Sequence, residues 1–114
     1  MDIQRVGVVG AGLMGSGIVE TAARAGFDVM VREVNEDLVQ RGLVRIDRSM
    51  NTAVERGKLA AKERDAALGR IKTTTTLDAM SECDIVIEAA IENMDIKKEV
   101  FRELDELTPK HAIL

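Results

Sequence analysis

The chain has 114 residues, with 16 Lys and Arg against 20 Asp and Glu and a formal net charge of −4, which suits one domain around one core. The acidic balance and the presence of only two aromatics, Phe27 and Phe101, exclude a base-stacking nucleic-acid platform and a partner drawn by positive charge, whether nucleic acid or anionic membrane. Cys83 is alone, which excludes a disulfide framework or a cysteine metal cluster. No apolar run approaches the ~20 residues of a membrane span, and with no basic-then-apolar leader the default location is cytoplasmic.

In chain order, Val6, Val8 and Val9 predict a buried first strand. It runs directly into Gly10-Ala-Gly12-Leu-Met-Gly15, a Gly-x-Gly-x-x-Gly sequence. A helix follows, with Met14, Ile18 and Ala22 four apart and Val19 and Ala23 beside them. Strand, glycine turn and helix in this order suit the pyrophosphate of a dinucleotide. Gly10 allows the tight turn, Gly12 lets the backbone approach the phosphates, and Gly15 lets the helix pack on the strand. Free N–H groups and the positive end of the helix dipole then face the anion.

Gly26-Phe-Asp-Val-Met-Val-Arg-Glu33 reads as the glycine that ends this helix followed by a second short strand. Glu33 stands at its end, at the spacing expected for the acid that accepts hydrogen bonds from both adenosine ribose hydroxyls. A carboxylate there repels a 2′-phosphate and favours NAD over NADP. Arg32 either covers the adenine face or softens that rejection.

Asn35 is a fitting N-cap, with Glu36 and Asp37 in the first turn. Val39, Leu43, Ile46, Met50 and Val54 repeat at spacings of 4, 3, 4 and 4, one apolar stripe that stops near Gly57. A second helix fits Ala60 to Leu68, ended by Gly69. The pair is longer than a plain crossover, so it forms a helical excursion between strands two and three. Ile71 to Thr74 reads as the third strand, and Leu77 to Met80 as at most a helical turn with Thr76 as its cap. Asp84-Ile-Val-Ile-Glu88 reads as the fourth strand, with the small Ala89 and Ala90 at the end where an open α/β sheet places its ligand crevice. Asp95 to Leu107 carries Ile96, Val100, Phe101, Leu104 and Leu107 at helical spacing. Pro109 stops it, and Ala112 to Leu114 opens a fifth strand. His111, the single histidine, falls at the entry to that strand. The predicted fold is α/β, a Rossmann-like parallel sheet of order 3-2-1-4-5, with helices on both faces.

Four stretches carry a resemblance: Val8-Val-Gly-Ala-Gly-Leu-Met-Gly-Ser-Gly17, Val31-Arg-Glu-Val34, Asp84-Ile-Val-Ile-Glu-Ala-Ala-Ile-Glu-Asn93 and Asp95-Ile-Lys-Lys-Glu-Val-Phe101. With the helical excursion they cover nearly the whole chain, which resembles the N-terminal domain of the L-3-hydroxyacyl-CoA dehydrogenases, bacterial 3-hydroxybutyryl-CoA dehydrogenases in particular. The resemblance implies NAD as cofactor and an acyl-CoA substrate. Residues Gly10, Ala11, Gly12, Leu13, Met14 and Gly15 match the phosphate loop, and Glu33 the ribose carboxylate, where the family more often has Asp. Glu92 and Lys97 match positions on the nicotinamide side. Ser49 falls on a serine that touches the coenzyme A chain, and Arg56 where the family usually has Lys near the coenzyme A phosphates.

The family continues from this last strand into an Asn-Thr-Ser-Ser segment, then to a catalytic His, its partnering Glu and a helical domain that forms a homodimer. None of these is in the sequence, and His111 precedes that segment. The chain is therefore expected to be the cofactor-binding part, residues 1–114, of a truncated dehydrogenase, inactive alone. Two other readings stay open: a stand-alone nucleotide-binding or redox-sensing module, and an NAD-dependent dehydrogenase of a free β-hydroxyacid. The long excursion speaks against the last, since a free acid has no nucleotide tail to hold.

Overall fold

A computed structural model describes residues 3–89 together with 102 and 103. Four strands form one parallel sheet: β1 (Arg5–Val9), β2 (Asp28–Arg32), β3 (Ile71–Thr74) and β4 (Ile85–Glu88), in the order β3-β2-β1-β4. This is the expected order for strands one to four. The segment expected to form the fifth strand lies outside the described residues. Pairing puts Val8 between Val31 and Ile87, and Val9 between Arg32 and Glu88. Side chains alternate across a strand, so β1 feeds two cores. Val6 and Val8 pack with Val19, Val29, Val31, Ile46 and Met50 on one face, while Val9 packs with Leu77, Met80, Cys83 and Val86 on the other.

Helix α1 (Leu13–Arg24) lies on the first face and ends at Gly26, whose φ of 102° explains the glycine there. Helix α2 (Glu36–Glu55) begins as expected: Asn35 Oδ1 accepts from the Leu38 N–H at 2.9 Å, and Glu36 and Asp37 stand in the first turn. Its buried residues are Val39, Gly42, Ile46 and Met50; of the expected stripe Ile46, Met50 and the partly buried Val54 join the core, Leu43 is only partly buried, and Gly42 is an unforeseen member. Helix α3 (Ala61–Gly69) follows, tied to α2 by the Arg64 Nη1 donation to Asn51 Oδ1 at 2.9 Å. The two helices form the excursion between β2 and β3.

A 3-10 helix (Asp78–Glu82) covers the second face. Its entry corrects one expectation. Leu77, not Thr76, is the cap residue, and no side chain caps it; the Thr76 hydroxyl instead pairs with Thr74 Oγ1 at 3.3 Å across the turn. Close approach to the sheet depends on Gly7, where a Cβ would stand 2.5 Å from Met80 Sδ and 3.0 Å from Cys83 Sγ. Asp84 joins β4 to β1 at their start, accepting the Gln4 and Arg5 N–H groups at 3.0 and 3.1 Å. Among the described residues no helix is long and apolar enough to cross a membrane.

Burial pushes the Cys83 thiol from 9.0 up to about 11; Asp84 adds to the shift, Arg5 opposes it and Glu82 adds to it. The native thiol is therefore expected to stay inert to a disulfide reagent at pH 8, since the thiolate is the nucleophile, and to react only on unfolding. Because the folded value is the higher, this group's share of stability is complete below pH 9.0 and is lost as the pH rises through about 11. Parallel urea titrations at pH 8 and pH 11 with Cys83→Ala as reference check the sign; a Cys83 labelled in the folded chain at pH 8 contradicts it.

Candidate cofactor site

The C-terminal end of β1 turns through Gly10 into α1, and everything of interest gathers around that turn. Gly10 has φ 108°, a conformation that favours glycine, and its N–H donates to the Arg32 carbonyl at 2.8 Å. At Gly15 an added Cβ would run into the Gly10 carbonyl oxygen, so this glycine is what lets α1 start flush against the turn. Gly12 is the opposite case: a Cβ there meets nothing within 4 Å. The backbone at Gly12 faces open space, which is the property a ligand-approach position needs.

Gly12 is the N-cap of α1, extended, with no side chain capping the helix and no acidic residue in the first turn. The first N–H groups of a helix have no partner within it. Here they stand beside open space at the positive end of the dipole, an arrangement that takes an anion. Leu13 and Met14, at 86% and 68% exposure, lie bare at the same rim. Ser16, by contrast, is buried and turned back, its hydroxyl donating to the Leu13 carbonyl at 3.1 Å.

Glu33 stands one residue past β2 and is 9% exposed. Its Oε2 accepts the Ala11 N–H at 2.8 Å, and Oε1 the Val34 N–H at 3.3 Å. The carboxylate thus reaches sideways across the strand ends into the glycine turn, and its unused lone pairs remain to accept a diol. Arg32, its neighbour, has a buried Nε with no hydrogen-bond partner. Glycine turn and acid, 22 residues apart in sequence from Ala11 to Glu33, form one continuous wall.

The side chains expected to face an acyl-CoA are placed differently. Ser49 and Arg56 are exposed, Ser49 on α2 and Arg56 at its C-cap. Their separation of seven residues puts them on one side of that helix, away from the apolar stripe. Glu92 and Lys97 lie outside the described residues.

Two residues of the site have no counterpart in the sequence reading. Gly42 of α2 lies against the turn: a Cβ there would be 2.5 Å from the Ala11 Cβ and 3.1 Å from its carbonyl oxygen. Arg45, three residues on, donates from Nη1 to that same Ala11 carbonyl at 3.2 Å. A glycine in the middle of an otherwise regular amphipathic helix, on its buried side, was the available signal for Gly42. Arg45 gave none, since charged residues on exposed helix positions are ordinary.

Known proteins match this arrangement closely. A family model described as 3-hydroxyacyl-CoA dehydrogenase, NAD binding domain, covers residues 5–114. The chain belongs to that family. It is 50% identical over 113 residues to a 3-hydroxybutyryl-CoA dehydrogenase of Mycobacterium tuberculosis, across 98% of this chain and 40% of that protein. It is 43% identical to a probable 3-hydroxybutyryl-CoA dehydrogenase of Bacillus subtilis, across 100% and 40%. Among solved structures, M. tuberculosis FadB2 superposes with a TM-score of 0.97 at 49% identity, over 100% of this chain and 40% of that one. The (S)-3-hydroxybutyryl-CoA dehydrogenase PaaH1 of Ralstonia eutropha gives 0.94 at 36%, over 98% and 40%. The chain thus spans about 40% of the length of these relatives. As a domain of this family it is NAD-binding.

Proposed function

We propose that residues 1–114 serve as the NAD-binding domain of an enzyme that interconverts (3S)-3-hydroxyacyl-CoA, 3-hydroxybutyryl-CoA in particular, and the 3-oxoacyl-CoA. The observation that carries this is the contact between Glu33 and the Ala11 amide, which makes ribose acid and phosphate loop one surface. The residues fit a dinucleotide: Gly12 leaves room for its phosphates, Gly15 allows the tight start of α1, and the helix N-terminus is uncapped. Gly12, Leu13 and Met14 offer backbone N–H groups to the pyrophosphate, Gly10, Ala11 and Gly15 shape the loop that presents them, and Glu33 holds the adenosine ribose. Leu13 and Met14 are the apolar rim that a bound dinucleotide covers. Glu92 and Lys97 belong, by resemblance, on its nicotinamide side. The cofactor, when bound, accepts or gives a hydride at C3 of the acyl group. Ser49 and Arg56 hold the coenzyme A end on the outer side of α2, where an exposed guanidinium suits phosphate. In this reading the whole enzyme is a cytoplasmic homodimer, joined through a domain that this chain does not include.

Hydride transfer also needs a base within hydrogen-bond reach of the substrate hydroxyl, and the single His111 precedes the segment that carries it in the family. The chain of 114 residues is therefore expected to bind NAD without oxidising 3-hydroxybutyryl-CoA above background. A longer protein that carries this domain and the family's catalytic segment is expected to reduce acetoacetyl-CoA with NADH and to leave free acetoacetate untouched. Equal rates on the free acid would overturn the acyl-CoA reading. Turnover by the short chain that vanishes in His111→Ala would overturn the division of labour.

A further inference from the structure

We propose that Arg45 is a positioning residue for the dinucleotide: by holding the Ala11 carbonyl it sets the direction of the Gly12 N–H and ties the phosphate loop to the helical excursion. The inference rests on the reading of Gly10 to Gly15 as the pyrophosphate site and adds a residue to it.

Ala11 is 2% exposed and is gripped on three sides. Its N–H donates to Glu33 Oε2 at 2.8 Å, its carbonyl accepts from Arg45 Nη1 at 3.2 Å, and Gly42 stands against its methyl group. The two hydrogen bonds act on different peptide planes. A trans peptide is rigid, with C=O and N–H pointing in opposite directions. Glu33 fixes the plane joining Gly10 to Ala11. Arg45 fixes the next plane, which joins Ala11 to Gly12: the carbonyl is drawn toward α2, so the Gly12 N–H points away from α2. That N–H is one of the anion-facing donors at the start of α1.

Something must hold this plane. Gly12 has no Cβ and nothing fills the space one would take, so no side chain restrains its N–H side; its carbonyl alone is held, by the Ser16 N–H at 2.9 Å. The helix has no side-chain cap to restrain it. Arg45 supplies the restraint from outside the loop, from a helix anchored in the core through Ile46 and Met50. Ser49 lies four residues further along α2, one helical turn from Arg45. The same helix therefore carries the restraint on the phosphate loop and the side chains proposed for the acyl-CoA, so the two ligands meet through one rigid element.

The test compares the chain with Arg45→Ala and Arg45→Lys by three readouts: affinity for ADP-ribose, which carries the pyrophosphate; affinity for adenosine, which does not; and the Gly12 amide resonance in the ligand-free protein. Loss of one hydrogen bond from a charged donor predicts about a tenfold weaker ADP-ribose complex in Arg45→Ala. Adenosine affinity should stay within about twofold, because the Glu33 grip is untouched. The Gly12 resonance should move or broaden, and Lys, which keeps a donor, should recover both effects. An unmoved Gly12 resonance would reduce Arg45 to a distant charge and overturn the proposal. So would unchanged ADP-ribose affinity, or equal losses for adenosine, which would mark general damage to the fold. If the unmutated chain binds neither ligand, the cofactor reading itself fails, and the Gly12 resonance still reports separately whether Arg45 orients the loop.

Discussion

Gly12→Asp is expected to abolish NAD binding while leaving the fold at least as stable as before. The structural side of this result follows from space and conformation. A Cβ at Gly12 meets no atom within 4 Å, and φ is −70°, ordinary for any residue. Gly12 is also the N-cap of α1, where Asp is among the preferred residues and stabilises a helix by about 1 kcal/mol relative to an uncapped start. The melting temperature should hold or rise. Binding goes the other way, because the new carboxylate occupies the space proposed for the pyrophosphate. Two unit charges ~4 Å apart repel by about 4 kcal/mol at the effective dielectric near a protein surface, a loss of several hundredfold or more. Calorimetry on the folded variant reads this directly, and unchanged NAD affinity would mean that this turn is not the phosphate site.

Three residues along, Gly15→Ala should do the reverse: it should damage the fold first. Its methyl group would fall on the Gly10 carbonyl oxygen, which is backbone and cannot swing aside. Forcing α1 off the turn costs about 1–3 kcal/mol, the range for overpacked interiors. The gain in helix propensity of Ala over Gly, ~1 kcal/mol, matches only the lower end of that range, and a clash with fixed backbone falls above it. Gly17→Ala is the matched control. It lies in the same helix, exposed, with nothing near its Cβ position, so only the propensity gain remains and the variant should be more stable by up to ~1 kcal/mol. Denaturant midpoints for the two variants should move in opposite directions. Parallel shifts would show that Gly15 is not packed against Gly10.

These contrasts mark the limit of what the sequence carried. The glycine pattern identified the turn, but only the backbone geometry separates a glycine that leaves room for a ligand from one that lets a helix approach. Strong local signals survived intact. The Val-rich β1, the apolar β4, the Asn35 cap and most of the apolar stripe of α2 fold as read, because each is decided by neighbours within a few residues. The entry to the 3-10 helix was misread, since Thr76 had an alternative partner in Thr74 that spacing does not reveal. The grip on Ala11 was invisible for a related reason. It joins the turn after β1, the end of β2 and the third turn of α2, and no local pattern announces a contact between residues 34 apart. The same holds for Asp84, whose carboxylate reaches back 80 positions to Gln4. Long-range polar contacts of this kind follow from topology, which the sequence implied only in outline.

The joint action of Glu33 and the phosphate loop is tested most directly by titrating the chain, and Glu33→Ala, with NAD and with NADP. The Glu33 carboxylate, buried and fixed by the Ala11 amide, should favour NAD by about 1–3 kcal/mol, or roughly 5- to 150-fold, through paired ribose hydroxyls and repulsion of a 2′-phosphate. Glu33→Ala should remove most of that gap, with Arg32 left beside the vacated position. Equal affinity of the unmutated chain for the two cofactors, or a gap that survives the loss of the carboxylate, would contradict the assignment of Glu33 as the ribose-binding acid.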